Sequence, residues 1–315
     1  MTSVEQTSGI GRGFRPAYLD MLESGELDER ARIAWRHLEC CDLCARNCRV
    51  NRRETRRGAV CRTGERARVN GVSPHFGEEA CLTGWKGSGT IFFSECNLRC
   101  VYCQNWELSW AGAGRESDPD GLAQAMLSLQ HAGCHNVNLV SPSHVVAQVL
   151  AALPIAGRAG FRLPLVYNTG GYDSPEALAL LDGVVDIYMP DMKYADPELA
   201  HLYSHVRHYV AANRAAVREM HRQVGNLLID PDGIARRGLL VRHLVLPGGL
   251  SGTRDVLRFL AEEISPDTYV NLMDQYRPCF KASEHETLAR RVDSAEICDA
   301  RRAAHRLGLR RLEPA

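Results

Sequence analysis

From about residue 90 onward the chain repeats one pattern six times: a short run of β-branched or apolar residues, then a stretch whose apolar side chains recur at helical spacing. The runs are TIFFS (90–94), VNLV (137–140), LPLVYN (163–168), VDIYM (185–189), LLVRHLVL (239–246) and YVNLM (269–273). Strands alternating with helices in this way build a parallel sheet, because each crossover returns the chain to the same end. Helix starts are marked at Asp118-Pro119, Ser174-Pro175-Glu176 and Asp196-Pro197-Glu198, where a capping side chain precedes a proline suited to the first helical position. Leu122, Met126 and Leu129 then share one helical face, as do Val146, Leu150 and Leu153. Six units are too few to close an eight-stranded barrel. The pattern predicts an α/β fold, a partial open (β/α)6 barrel, with a curved, doubly covered sheet as the alternative. Either fold gathers reactive groups at the C-terminal ends of its strands.

The remainder of the 315 residues divides around this unit. Residues 1–89 read as a helix over about 17–38 followed by a cysteine- and arginine-rich extension with little core of its own, which needs a metal or docking to order it. Residues 90–280 form the barrel, and 281–315 a C-terminal helical segment.

Charge narrows the partners. The 38 basic side chains balance 38 acidic ones, so no field for nucleic acid or a membrane surface is expected. The first residues, MTSVEQTSGIGRGFRP, lack the apolar segment of a signal peptide, and no run of about 18 apolar residues occurs. A cytoplasmic location is therefore expected, and in a reducing compartment twelve cysteines point to metal binding rather than disulfides. Cys81, Cys134, Cys279 and Cys298 stand apart and read as small buried hydrophobes.

Directly after the first apolar run comes FFSECNLRCVYCQN (92–105), with Cys96, Cys100 and Cys103 inside eight residues. Four thiolates close a structural zinc or an ordinary iron–sulfur cube, whereas three leave one metal position open. A three-thiolate zinc with water is the competing reading. The spacing CxxxCxxC, with Tyr102 before the last cysteine, resembles the signature of the radical S-adenosylmethionine (SAM) superfamily. The stretches GSGTIFFS, CVYCQN, VYNTGGYD, DIYMPDMKY, EMHRQVG and VRHLVLPGG further resemble, over about residues 40–280, a branch similar to pyruvate formate-lyase activating enzymes.

The resemblance implies a [4Fe-4S] cluster on the three thiolates, SAM chelated at the open iron, and an electron donor such as flavodoxin or ferredoxin. Reductive cleavage of SAM then yields a 5'-deoxyadenosyl radical that abstracts hydrogen from an unidentified substrate, with the glycine loop of a glycyl-radical enzyme among the candidates. It also implies SAM contacts at Asn168, Thr169, Asp191, Lys193 and Arg242, beside Tyr102 in the motif. Asn168 stands where the family has aspartate. The GGE-type motif after the second strand is absent, so Asn138, Ser141 and Ser143 are the candidate acceptors for the SAM ammonium. His243, alternating with Arg242, is expected on the opposite face. Glu95 precedes Cys96, and a carboxylate there lowers a cluster's potential.

Cys41, Cys44, Cys48 and Cys61 form CxxCxxxC with a fourth cysteine beyond, enough for a closed metal site; zinc and a second iron–sulfur cluster are equally compatible. Cys40 is surplus. Vicinal thiols suit a soft ligand such as trivalent arsenic, which motivates an alternative reaction, transfer of the 3-amino-3-carboxypropyl group of SAM to a soft acceptor. A non-catalytic iron–sulfur electron carrier and a zinc-stabilised binding module are the remaining readings.

Overall fold

The computed structural model describes residues 13–314. Ten strands occur in chain order: β1 (Ala67–His75), β2 (Ser88–Phe93), β3 (Arg115–Ser117), β4 (Val137–Val140), β5 (Leu165–Thr169), β6 (Ile187–Pro190), β7 (Leu228–Ile229), β8 (Ala235–Leu244), β9 (Tyr269–Met273) and β10 (Arg311–Leu312). They form one sheet in the order β10-β9-β8-β6-β5-β4-β2-β1-β3, with β7 paired to β8 outside that path. The run from β2 through β9 to β10 is parallel, while β1 joins β2 and β3 antiparallel. The two ends of the sheet do not pair, so this is the partial, open barrel, lengthened by an antiparallel edge at one end and a two-residue strand at the other.

All three predicted helix caps are present. Asp118 accepts from the Gly121 amide at 2.9 Å, Ser174 from Ala177 at 3.2 Å, and Asp196 from Glu198 at 2.7 Å. The expected helix over 17–38 is instead two, Tyr18–Ser24 and Glu26–Arg36, because Gly25 adopts a left-handed φ of 81° and its amide turns back to Leu22.

Alternation along the strands separates two cores. Outward residues such as Ile91, Leu139, Leu165, Val241 and Val270 pack under the helices, and Leu27 and Ala34 of the second N-terminal helix join the same cluster. At about 1.5–3 kcal/mol for each fully buried aliphatic side chain, this layer dominates the fold's stability. Inward residues Val166, Ile187, Met189 and Leu240 meet Cys81 and Leu82 inside the barrel. Cys81 and Leu82 come from the β1–β2 connection, which plugs the N-terminal end. Among the described residues no helix is long and apolar enough to cross a membrane.

Candidate active site

Strand β2 ends at Phe93, and the chain then turns through Glu95, at φ 65°, into the three-cysteine loop. The loop is pinned from several sides: Val101 N–H donates to Tyr203 O at 2.8 Å, Lys281 N–H to Val101 O at 2.9 Å, and the Trp110 indole to Cys100 O at 3.1 Å. Arg99 adds bonds to Ser109 O at 2.9 Å and Val60 O at 2.6 Å. None of the thiols is in a disulfide, and each receives a donor. Leu98 N–H points to Cys96 Sγ at 3.4 Å, Ser204 Oγ to Cys100 Sγ at 3.0 Å and Ser109 Oγ to Cys103 Sγ at 3.1 Å.

Behind Cys100 the donors form a chain. Tyr102 hydroxyl donates to Tyr194 at 2.7 Å, and Tyr194 to Ser204 at 2.7 Å. As free thiols Cys96 and Cys100 are pushed up by burial, Cys100 to about 12, while the Lys193 ammonium works the other way. A metal that deprotonates these thiols thus finds compensating donors and a cation already in place.

The three cysteines line one wall of a cavity of about 570 Å³ in the barrel mouth, together with Tyr102, Ser141, Asn168, Thr169, Asp191, Lys193 and Arg242. Lys193 Nζ pairs with Asp191 Oδ2 at 2.5 Å. Burial opposes the ammonium, but Asp191 and Cys100 outweigh it and hold its pKa up. The backbone beneath is fixed by residues the sequence reading did not single out. Tyr209 hydroxyl lies 2.9 Å from Gly170 O and 3.0 Å from Asp191 O, and Asn213 Nδ2 donates to Gly171 O at 3.0 Å and Asp191 O at 2.9 Å. Thr169 turns its hydroxyl to buried Asp173 at 2.7 Å and stands 2.8 Å from Ser143, so that hydroxyl orders the loop.

Asn138 and Arg242, expected as SAM contacts, are placed differently. Asn138 is fully buried and outside the lining: it sits one inward position before Val140, deeper in the barrel, and neither of its amide atoms has a partner. Arg242 does line the cavity, but its guanidinium is committed to Glu79, at 2.7 Å and 2.6 Å, and to Glu78. Asn271 also donates to Glu79, at 2.8 Å. Burial would raise the Glu79 carboxyl, and Arg242 overrides it and holds it below its ordinary value. Glu95 turns away from the cavity to Arg62, at 2.9 Å, and Arg99, at 3.6 Å, so two cations offset its field at the cluster loop. His243 faces outward, between Met192 O at 2.6 Å and Thr253 Oγ1 at 2.9 Å.

Among the described residues no three His, Cys, Asp or Glu side chains are grouped as ligands of a single metal ion. Three soft thiols on one wall, each with its own donor and none joined to a carboxylate or imidazole, fit the face of a cluster better than a hydrolytic zinc.

A partial parallel barrel with such a loop after its first parallel strand defines a class of iron–sulfur, SAM-dependent enzymes. Residues 90–230 match the family described as the radical SAM superfamily. The chain is also 31% identical over 301 residues to the uncharacterized protein MJ0674 of Methanocaldococcus jannaschii, covering 92% of this chain and 82% of that protein. The chain belongs to the radical SAM superfamily, whose members use a [4Fe-4S] cluster and SAM and draw electrons from a reductant.

Proposed function

We propose that this chain cleaves SAM reductively to 5'-deoxyadenosine and abstracts hydrogen from a substrate admitted at the barrel mouth. Cys96, Cys100 and Cys103 hold the cluster, which supplies the electron that breaks a carbon–sulfur bond. One observation carries the reading: three hydrogen-bonded thiols and the Asp191–Lys193 pair share the walls of one cavity of about 570 Å³, within the range for a ligand of SAM's size. Ser141, Asn168 and Asp191 offer oxygens to the ammonium of the methionine part, and Lys193 offers its charge to the carboxylate. Tyr102 acts through Tyr194 and Ser204 on Cys100. Arg242, paired with Glu79, forms the floor.

Flavodoxin or ferredoxin is the donor class. The resemblance to pyruvate formate-lyase activating enzymes makes the glycine loop of a glycyl-radical enzyme a candidate substrate. The four N-terminal cysteines form a second metal site. Anaerobic incubation of the reconstituted, reduced protein with SAM, followed by chromatography of the products, tests the reading. It predicts 5'-deoxyadenosine. Methylthioadenosine instead would assign the carboxypropyl transfer, and intact SAM beside a reduced cluster would leave an electron carrier.

A further inference from the structure

Arg52 is 2% exposed. Its Nε donates to Thr63 O at 2.8 Å, one Nη to Gly64 O at 3.2 Å and the other to Cys41 Sγ at 3.4 Å. Among the described residues no carboxylate pairs with it. A buried guanidinium without an anion is costly, and carbonyls and neutral thiols leave its charge uncompensated. The side-chain atom among its hydrogen-bond partners is a sulfur, Cys41 Sγ. Cys41, Cys44 and Cys61 are themselves buried free thiols. Thiolates bound to a metal would supply the missing anion, and metal binding is what removes those protons.

The position of this pocket bears on which metal it takes. Ala45 N–H and Asn97 Nδ2 both donate to Tyr172 O, at 3.3 Å and 2.9 Å, and Arg46 Nε donates to Asn97 O at 2.8 Å. Arg99 reaches Val60 O, beside Cys61, at 2.6 Å. Residues flanking two of the four N-terminal cysteines therefore bond directly to residues lying between Cys96 and Cys100. Zinc would also neutralise Arg52, but it carries no electrons.

We propose that Cys41, Cys44, Cys48 and Cys61 hold a second iron–sulfur cluster, seated against Arg52, through which electrons enter the SAM-cleaving site. The relay passes one electron at a time. A reduced iron–sulfur or flavin protein loses it, the N-terminal centre gains it and then returns to its oxidised state as it passes the electron to the centre on Cys96–Cys103. No bond in the protein forms or breaks. The relay rests on the SAM-cleaving reading, whereas the metal assignment does not.

Metal analysis of the anaerobically reconstituted full chain should give about eight irons per chain, for two [4Fe-4S] clusters, and less than stoichiometric zinc; about four irons with one zinc overturns the assignment. The double variant Cys44→Ser/Cys48→Ser should fall to about four irons, keep the SAM-induced change in the remaining cluster's electron paramagnetic resonance, and cleave SAM with dithionite but at least tenfold more slowly with reduced flavodoxin. Undiminished flavodoxin-driven cleavage overturns the relay. Should that variant not fold, Arg52→Met serves: loss of a cation beside the cluster should lower the midpoint of one of two redox waves, and unmoved waves count against the seat. If SAM leaves the wild-type spectrum unchanged and uncleaved, the SAM reading fails, and the iron count still decides the N-terminal site.

Discussion

Arg242→Met is the substitution on which the structure makes its most quantitative demand. Glu79 is buried, and of its side-chain hydrogen bonds two come from Arg242 and one from Asn271. Removing the guanidinium leaves one wholly buried carboxylate and a second, Glu78, with no counter-charge, and breaking a buried pair in this way costs about 3–5 kcal/mol. The cost depends on pH. In the wild type Arg242 holds the Glu79 carboxyl below its ordinary value despite burial, so the pair's contribution is complete above the unfolded carboxyl pKa of about 4.3 and lost as pH falls through the lower folded value. In the variant burial, the largest influence on this carboxyl, is opposed only by hydrogen bonds from Asn271 and the backbone, and the folded carboxyl rises above the unfolded one. The deficit should then grow as pH rises above about 4.3, at up to about 1.4 kcal/mol per unit, until the raised folded value is passed. Urea unfolding of the anaerobic protein at pH 5 and pH 8, followed by circular dichroism, should show a loss near 3–5 kcal/mol at pH 8 and a clearly smaller one at pH 5. A loss below about 1 kcal/mol at pH 8, or equal losses at both, would refute the reasoning. Unchanged stability with at least tenfold weaker SAM binding would return Arg242 to the role of a SAM contact.

Other consequences are separable. Asp186, which accepts the amides of Ala17 and Leu165 at 2.9 Å each, is pushed up to about 7 by burial; the folded state then holds the extra proton, stability should fall by about 4 kcal/mol as pH rises from 4 to 7, and Asp186→Asn should flatten that slope. Lys193→Gln removes the cation that faces Cys96 and Cys100, so the cluster midpoint should drop and SAM bind more weakly; an unmoved midpoint would detach Lys193 from the site. Gly171→Ala places a Cβ against Asn213 and the Asp191 carbonyl at a φ of 72°, which should cost at least about 1–2 kcal/mol and weaken SAM binding by shifting Asp191, visible in calorimetry.

What the sequence disclosed and what it hid divide along physical lines. The parallel strands were legible because short runs of β-branched and apolar residues stand out between helical stretches: VNLV coincides with β4 and YVNLM with β9, each broken by a single asparagine. The caps at Asp118, Ser174 and Asp196 carry their own local chemistry. The antiparallel strand β1, ARVNGVSPH, was not legible, since only its first residue is buried, it contains glycine and proline, and it gains its order from pairing with β2 and β3. At the site, CxxxCxxC marks the three thiols without reference to the rest of the chain. Glu78 and Glu79 gave no signal, because their meaning lies in Arg242, far along the sequence, and no periodicity announces a barrel floor. Tyr209 and Asn213 read as ordinary helix residues until their helix is set against the Asp191 backbone. Asn138 was placed at the mouth by its strand, and its depth follows from the inward alternation with Val140.

The central claim is that three sulfurs hold an iron–sulfur cluster with a coordination position left for SAM. It is tested most directly by electron paramagnetic resonance of the reduced protein with and without SAM, in the wild type and in Cys100→Ala. The wild-type signal should change on adding SAM, and in the variant that SAM-sensitive signal should be missing. A wild-type signal indifferent to saturating SAM, or an unchanged SAM-sensitive signal in Cys100→Ala, would contradict the account.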